Sequence, residues 1–190
     1  MLLEEPEFFF PYQLDFRGRV YPVPARLNPQ GEDSARAMLE FANGLPIGRD
    51  GGKWLAIHGA NMYGVDKVSF DDRVKWVLDN ERVITETAVY PFDNLSFWTK
   101  ADKPFQFLAF CFEWVSYLTH LEEGKFMDNF ISRLPIAMDG SNNGIQNLSA
   151  MGRDVNAATF VNLIPSDIPQ DIYQLVADRV IEAVKADYNN

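Results

Sequence analysis

The amino-acid sequence predicts a mostly helical α+β fold with few and short strands. Apolar residues recur at helical spacing along much of the chain, as expected of helices that bury one face. Two runs, residues 20–23 and 134–138, have instead the apolar character and flanking turn residues of strands. Hydrophobic residues make up 47% of the 190 residues and aromatic residues 14%, so the chain can bury a sizeable core.

The composition also argues against several classes of protein. No apolar run reaches the roughly 18 residues of a membrane span. The amino terminus lacks the basic region and the cleavage site of a signal peptide. The single Cys111 cannot pair within the chain, so it is expected to be a small core residue in a reducing compartment. The net charge of −10 is unfavourable for binding to phosphates.

Four basic residues nevertheless lie close together near the amino terminus: Arg17, Arg19, Arg26 and Arg36. Because a local cluster can dominate the field in a cleft, they are consistent with a basic cleft on an acidic body. Arg17 and Arg19 flank Gly18 in a turn that leads into the strand at residues 20–23. Their guanidinium groups could fork onto phosphate oxygens, or they could be the solvated charges of a surface turn.

Two helices are predicted in the next stretch. The first covers residues 34–43, with Asp33 or Ser34 as its N-cap. The second covers residues 53–63 and contains His58. Because no other metal-ligating residue lies three or four positions away, His58 is expected to pack in the core.

The middle of the chain predicts two longer helices. Residues 71–87 place apolar side chains on one face, which indicates an amphipathic helix. Residues 105–120 are apolar on nearly all sides, which indicates a buried helix. Glu113 in that helix would need a partner, and a structural ion pair is the preferred interpretation.

Two further helices are predicted near the carboxyl terminus. A short one covers residues 145–151, and a long one starts near Ser166 or Asp167 and continues to about residue 188. The expected buried face of the long helix consists of Ile172, Leu175, Val176, Val180 and Val184.

Residues 134–148 predict a buried strand, a tight turn and the start of a helix. The turn would leave Asp139 at the carboxyl end of the strand, beside the accessible carbonyl group of Gly140. Such a pair of oxygen ligands suits Mg²⁺. Alternatively, Asp139 caps the next helix or forms part of the turn.

The longer pattern resembles a known family. Asp139-Gly-Ser-x-x-Gly144-Ile-Gln146 is similar to motif A of the single-subunit, bacteriophage-type RNA polymerases, which include the mitochondrial enzymes. The stretch Asp15-Phe-Arg17-Gly-Arg19 resembles the Asp-x-x-Gly-Arg element of the same family. Further matches follow in the expected order at residues 28–31, 45–48, 57–61, 64–68, 107–113, 162–166 and 170–173.

This resemblance implies part of a polymerase palm, in which a small antiparallel sheet is flanked by helices and the catalytic domain is incomplete. Residues 1–48 would be the amino-terminal part of the palm, and residues 49–132 a helical insertion. Residues 133–155 would carry motif A, and residues 156–190 would begin the fingers.

The resemblance also implies roles for individual residues. Asp139 would be catalytic and would hold Mg²⁺ together with the backbone carbonyl of Gly140. Arg17 and Arg19 would contact the template strand or the RNA–DNA hybrid. Arg36 could reach a nucleic-acid backbone or be an exposed helix charge. Gly144, five positions after Asp139, would leave room for the 2′-hydroxyl of a ribonucleotide.

Two elements of the family pattern are missing. The second metal-binding carboxylate comes from a His-Asp pair, and this chain has none. The fingers helix carries Arg-x-x-x-Lys followed by Tyr-Gly, whereas the match here, Arg49 to Lys53, lies before motif A and lacks the Tyr-Gly. The chain is therefore expected to be inactive alone. Its expected partners are the remaining polymerase segments, the DNA template, the RNA product and nucleoside triphosphates. It is also expected to self-associate through an open sheet edge.

Two alternatives are left open. The chain could be a regulatory or nucleic-acid-binding fragment that uses Arg17 and Arg19 without catalysis. It could also be an unrelated hydrolase that pairs Asp139 with another acid such as Asp154, although no spacing selects that pair. The expected location is the cytoplasm of a phage-infected or lysogenic bacterium, or alternatively the mitochondrial matrix, away from membranes.

Overall fold

The computed structural model describes residues 5–136 and 142–188, which form two compact units. One unit comprises Met1–Asp66 and Asp71–Ile136, and the other comprises Lys67–Phe70 and Ala137–Asn190. The prediction of a mostly helical α+β fold is confirmed.

The strands form two small antiparallel sheets. Strands β1 (Tyr12–Leu14) and β2 (Val20–Pro22) pair as a hairpin, with Gln13 opposite Tyr21. Strands β3 (Leu45–Pro46) and β4 (Ile131–Ser132) pair with each other across the first unit. The strand predicted at residues 20–23 is therefore present as β2. The strand predicted at residues 134–138 is wrong for residues 134–136, which are not in a strand, and its other residues lie outside the described part of the chain.

The first unit contains six α-helices in its described residues. They are α1 (Asp33–Ala37), α2 (Gly51–Tyr63), α3 (Phe70–Asp79, whose first residue is assigned to the other unit), α4 (Glu81–Val89), α5 (Leu95–Trp98) and α6 (Pro104–Glu122). A single 3₁₀ turn, Met127–Asn129, precedes β4.

Helix α6 is the centre of the first unit, because α1, α2 and α4 all pack against it. Phe107, Phe110 and Cys111 on α6 are completely buried, and Cys111 is thus a core residue as predicted. Helix α2 approaches closely at Gly59, where a Cβ atom would overlap the ring of Phe110. His58 is buried in the same helix, which confirms its assignment to the core.

Helix α1 is shorter than predicted, and its first acid has a different role. The helix ends at Ala37 instead of residue 43. The carboxylate of Asp33 accepts hydrogen bonds from the backbone N–H of Phe105 (2.7 Å) and of Gln106 (3.1 Å), and from the Gln106 side chain (3.0 Å). Asp33 thus caps the start of α6 from more than seventy residues away, and it joins α1 to the core helix.

The single helix predicted over residues 71–87 is wrong, because Asn80 divides it into α3 and α4. The Asn80 side chain donates a hydrogen bond to the backbone carbonyl of Trp76 at 2.7 Å. Such a local bond competes with continuation of the helix. Both halves still bury their apolar face, with Val77 and Ile84 completely inaccessible to solvent.

The predicted ion pair of Glu113 is absent from the described contacts. Its Oε1 atom is buried and has no hydrogen-bond partner. Nor is α6 buried on all sides, because the side chains of Phe105 and Phe112 are almost half exposed.

The second unit contains α7 (Asn143–Gly152), α8 (Val155–Phe160) and α9 (Ile172–Tyr188). Helices α7 and α8 pack together, and Val161 after them is completely buried. The predicted buried face of α9 is wrong: no residue of that helix is buried, and Val176, Val180 and Val184 are more than half exposed.

Candidate nucleic-acid interface and metal-binding segment

The turn between β1 and β2 is built around the carboxylate of Asp15. Its Oδ1 atom accepts hydrogen bonds from the backbone N–H of Arg17 (2.8 Å) and of Arg19 (2.9 Å). The backbone N–H of Asp15 donates in turn to the carbonyl of Arg19 at 2.9 Å. Gly18 has a φ of 75°, a left-handed conformation that glycine adopts readily. The sequence Asp-x-x-Gly-Arg therefore specifies the shape of this turn.

The same carboxylate orients the side chain of Arg17. Its Oδ2 atom accepts a hydrogen bond from Nε of Arg17 and pairs with an outer guanidinium nitrogen, both at 2.9 Å. That nitrogen also lies 3.3 Å from the hydroxyl of Tyr21, and the guanidinium lies over the ring of Phe16. Yet 51% of the Arg17 side chain stays exposed, so it is held in place and still accessible to a ligand.

Electrostatics reinforce this arrangement. The hydrogen bond from the Arg19 backbone, together with the bonds from Arg17, lowers the pKa of Asp15 below its usual value, against a smaller opposing effect of burial. The carboxylate is therefore ionised at neutral pH and acts as the counter-charge that orders the turn. Asp15 therefore orients Arg17 as well as shaping the turn.

The other two predicted arginines are placed differently. Arg19 is exposed, and the described hydrogen bonds of this residue are made by its backbone N–H and carbonyl groups. Arg36 lies half-buried on α1. Burial of His58 lowers the pKa of that side chain to about 4, and the charge of Arg36 is the second, smaller cause of this shift. The described contacts join Arg17 and Arg19 through Asp15 but do not bring Arg36 to them.

Two residues of the matched stretch 28–31 support the hairpin through contacts that the sequence did not reveal. The Gln30 side chain donates a hydrogen bond to the carbonyl of Val20 at 3.3 Å. Asn28 holds the turn that carries Gln30, because its side chain donates to the carbonyl of Pro24 and accepts from the N–H of Gln30. An Asn-Pro pair is a turn signal, but the contact with β2 could not be read from it.

The candidate metal ligands Asp139 and Gly140 lie outside the described residues. Across residues 5–136 and 142–188, no group of three or more His, Cys, Asp or Glu side chains could hold a metal ion. Asp154, the possible second acid of a hydrolase, caps α8 by accepting a hydrogen bond from the N–H of Ala157 at 3.0 Å.

Gly144 occupies the first turn of α7 and faces open space. Among the described residues, a Cβ atom added there would have no neighbour within 4 Å. Its backbone is not in the left-handed region, so the local conformation does not require glycine. Glycine is unfavourable inside a helix by about 1 kcal/mol relative to alanine. The local fold therefore gives no reason for glycine at this position.

Helices α7 and α8 and the residues after them are braced by two polar residues whose contacts sequence reasoning missed. The Gln146 side chain donates a hydrogen bond to the carbonyl of Val161 at 2.6 Å and so links α7 to the end of α8. The Asn162 side chain accepts from the N–H of Gln170 and donates to its carbonyl, at 2.7 and 2.8 Å. Asn162 has a φ of 59°, a left-handed conformation that asparagine tolerates better than most residues.

Comparison with known proteins matches most of this chain. The profile of a family described as DNA-dependent RNA polymerase matches residues 45–190. The chain belongs to this family. It is 50% identical over 176 residues to the DNA-directed RNA polymerase of Enterobacteria phage K11, and 47% identical over 182 residues to T7 RNA polymerase of Escherichia phage T7. It is also 41% identical over 181 residues to the mitochondrial DNA-directed RNA polymerase of Schizosaccharomyces pombe.

This RNA polymerase segment is much shorter than its relatives. The matches cover 93%, 96% and 95% of the chain, but only 18%, 20% and 15% of the K11, T7 and fission-yeast polymerases. None of the helices in the described part of the chain has the length and apolar character needed to cross a membrane.

Proposed function

We propose that this chain is the part of a DNA-directed RNA polymerase that supplies arginines for the template strand or RNA–DNA hybrid and one carboxylate for metal binding. The observation that carries the proposal is the hairpin in which Asp15 holds Arg17 in place, within a chain of the RNA polymerase family. Residues 49–132 would be the helical insertion of the palm, and residues 156–190 would begin the fingers.

The hairpin suits a nucleic-acid backbone. An arginine guanidinium presents several N–H donors in one plane and pairs with two phosphate oxygens at once. Asp15 and Tyr21 occupy only part of the Arg17 guanidinium, and half of the side chain remains exposed. Because Arg17 is oriented before binding, less side-chain entropy is lost when a phosphate is bound. Arg19 adds a second charge in the same turn.

Catalysis would require Mg²⁺, for which the carboxylate of Asp139 and the carbonyl of Gly140 are ligands of the preferred kind. When bound, the metal would stabilise the attacking 3′ oxygen and the charge that develops on the triphosphate. Asp139 would hold and orient the metal, and further carboxylates would come from polymerase segments outside this chain. The isolated chain is therefore proposed to be inactive.

Gly144 is proposed to leave room for the ribose 2′-hydroxyl. The open space around its Cα atom and the lack of any local need for glycine support this role. Replacement Gly144→Glu places a bulky acid at the position five residues after Asp139. In an active polymerase it is expected to reduce ribonucleotide incorporation more than deoxyribonucleotide incorporation, and Gly144→Ala is expected to have a much smaller effect. An equal loss with both nucleotides would contradict a role in sugar selection.

The central test is a chimera in which this chain replaces the matching stretch of T7 RNA polymerase, with which it is 47% identical. Transcription from the T7 promoter is expected. Asp139→Asn should abolish it without unfolding the chimera. The matched control Asp154→Asn should retain most activity, because Asp154 caps α8 and asparagine is an equally good cap. Full activity of the Asp139→Asn chimera would remove Asp139 from the metal site.

A second candidate function is non-catalytic binding of nucleic acid by the chain alone, and the pre-oriented Arg17 favours it. Fluorescence anisotropy with an RNA–DNA hybrid would measure it. Binding should weaken as salt is raised, because phosphate contacts release counterions. Absence of binding even at low salt would reject this function and leave the role within a complete polymerase.

Self-association is also proposed, because both described sheets have only two strands and therefore open edges. Sedimentation velocity over a range of concentrations would test it. A monomer at all concentrations would exclude pairing through these edges.

A further inference from the structure

A groove with a volume of about 480 Å³ lies between α1 and α6 in the first unit. Its floor and walls are mainly apolar. The lining residues of α6 are Phe105, Leu108, Ala109, Phe112, Glu113 and Ser116. Counted from Phe105, they lie at positions i+3, i+4, i+7, i+8 and i+11, and so they form one continuous face of the helix.

Helix α6 thus has two apolar faces, which explains why its sequence is apolar nearly all round. The face that carries Phe107, Phe110 and Trp114 is buried in the core. The groove face is open, and the side chains of Phe105 and Phe112 are 48% and 46% exposed. A helix with two apolar faces normally packs against other elements on both of them. The composition of the groove face is therefore typical of a surface that another segment covers.

The charges in the groove define what could cover it. Glu113 lines the groove, and its Oε1 atom is buried without a hydrogen-bond partner. A buried carboxylate oxygen without a donor is costly, because its lost hydration is not replaced. Glu40 is a second acid of the lining, and no basic residue is among the described lining residues. Phosphate groups would be repelled, whereas a lysine or arginine would be attracted.

We propose that this groove binds an apolar segment that carries a lysine or an arginine, and that the segment belongs to the part of the polymerase outside this chain. The proposal rests on the proposed function, namely that the chain works within a longer polymerase. Many segments of the relatives are candidates for this binding partner, because this chain covers only 20% of T7 RNA polymerase. The cation would donate to Glu113, and the apolar side chains would cover Phe105 and Phe112.

The experiment uses the 190-residue chain and a set of overlapping peptides. The peptides cover the parts of T7 RNA polymerase outside the stretch that this chain matches, and anisotropy measures their binding. We expect a peptide with a lysine or arginine among apolar residues to bind. Glu113→Gln should weaken it roughly tenfold or more, because a hydrogen bond to a charged group is lost. Ala109→Trp should block it by filling the groove.

The matched control is Glu122→Gln, which makes the same chemical change on the same helix, at an exposed position outside the groove lining. It should leave peptide binding unchanged. Replacing the peptide's cation by methionine should weaken binding to the native chain but have little further effect on the Glu113→Gln chain. This comparison remains informative if a groove variant folds poorly, because the peptide variant needs only the native chain.

Three outcomes would overturn the proposal. One is that no peptide binds, and another is that the bound peptides are insensitive to both Glu113→Gln and Ala109→Trp. The third is a concentration-dependent dimer that Ala109→Trp abolishes, which would assign the groove to a second copy of this chain. If the chimera is active and depends on Asp139 but no peptide binds, the proposed role of the groove is rejected and the proposed function is kept. An inactive chimera with groove-specific binding would reject the proposed function.

Discussion

At the scale of single residues, Asp15 and His58 show how much local chemistry the sequence reveals. Arg17 and Arg19 were predicted in a turn that leads into the strand at residues 20–23, and the structure places them in that turn, where Asp15 orients Arg17. His58 was predicted in the core from the absence of neighbouring ligands, and it is 4% exposed. Both inferences depended on short-range spacing. The contacts of Gln146 with Val161 and of Asn162 with Gln170 depend on how two segments pack, so the sequence did not reveal them.

The role of Asp15 can be separated from its charge. Replacement Asp15→Asn removes a negative charge, which alone should strengthen binding to an RNA–DNA hybrid. We expect binding by the isolated chain to weaken several-fold instead, because Arg17 loses the ion pair that orients it. Glu7→Gln, which removes an exposed acid near the same hairpin, should leave affinity unchanged or raise it. Equal gains in the two variants would show that Asp15 does not position Arg17 for binding.

His58 makes the stability of the first unit depend on pH. Burial, and secondarily Arg36, lower its pKa from 6.5 to about 4 in the folded chain. Between these values the unfolded chain binds the proton and the folded chain does not. The stabilisation is therefore complete above about pH 6.5 and is lost as the pH falls toward about 4, with a total of roughly 3 kcal/mol.

Urea unfolding followed by tryptophan fluorescence at several pH values would measure this dependence. His58→Gln should flatten the stability profile between about pH 6.5 and pH 5, above the range in which most carboxylates titrate. His120→Gln is the control and should keep the profile, because His58 is still present. A native chain whose stability does not change in this window would contradict a buried, neutral His58.

At the scale of elements, periodicity located the longer helices, but their limits depended on individual side chains. Helices α2, α6 and α7 lie close to their predicted positions, whereas α9 begins at Ile172 instead of near Ser166 or Asp167. The predicted helix over residues 71–87 is divided at Asn80, whose side chain bonds back to Trp76. The short helices α5 and α8 were not predicted, because four to six residues are too few for a periodic pattern.

Helix capping gives the sharpest test at this scale. Asp33 accepts three hydrogen bonds at the start of α6, although it was predicted, as an alternative to Ser34, to cap its own helix. Asp33→Ala should therefore lower the free energy of unfolding by about 1–2 kcal/mol. Its neighbour Glu32 occupies the N-cap position of α1 without a side-chain cap bond, so Glu32→Ala should change stability by less than about 0.5 kcal/mol. Denaturant midpoints of the two variants would measure the difference, and equal losses would contradict the long-range cap.

At the scale of the whole molecule, the sequence predicted the family and the helical class but overestimated burial. The apolar faces of α6 and α9 were both expected to be buried. In the described residues, the face of α6 is partly exposed to solvent, and no residue of α9 is buried. Periodicity indicates that a face is apolar, but it does not say which segment covers it. The chain spans about a fifth of the length of T7 RNA polymerase.

The division into two units predicts that the isolated chain unfolds in more than one step. All four tryptophans lie in the first unit, and so does Cys111, whose thiol pKa is raised by burial. Only three described residues of the second unit are buried: Ser149, Ala158 and Val161. Tryptophan fluorescence and alkylation of Cys111 should therefore follow the first unit, whereas far-ultraviolet circular dichroism also reports α7, α8 and α9.

We expect the dichroism signal to begin falling at lower denaturant concentration than the fluorescence, because the second unit buries less apolar surface. Cys111 should stay protected from alkylation until the fluorescence changes, because a buried neutral thiol does not react. Coincident transitions from all three probes would show that the two units unfold as one, since agreement among probes is the mark of two-state behaviour.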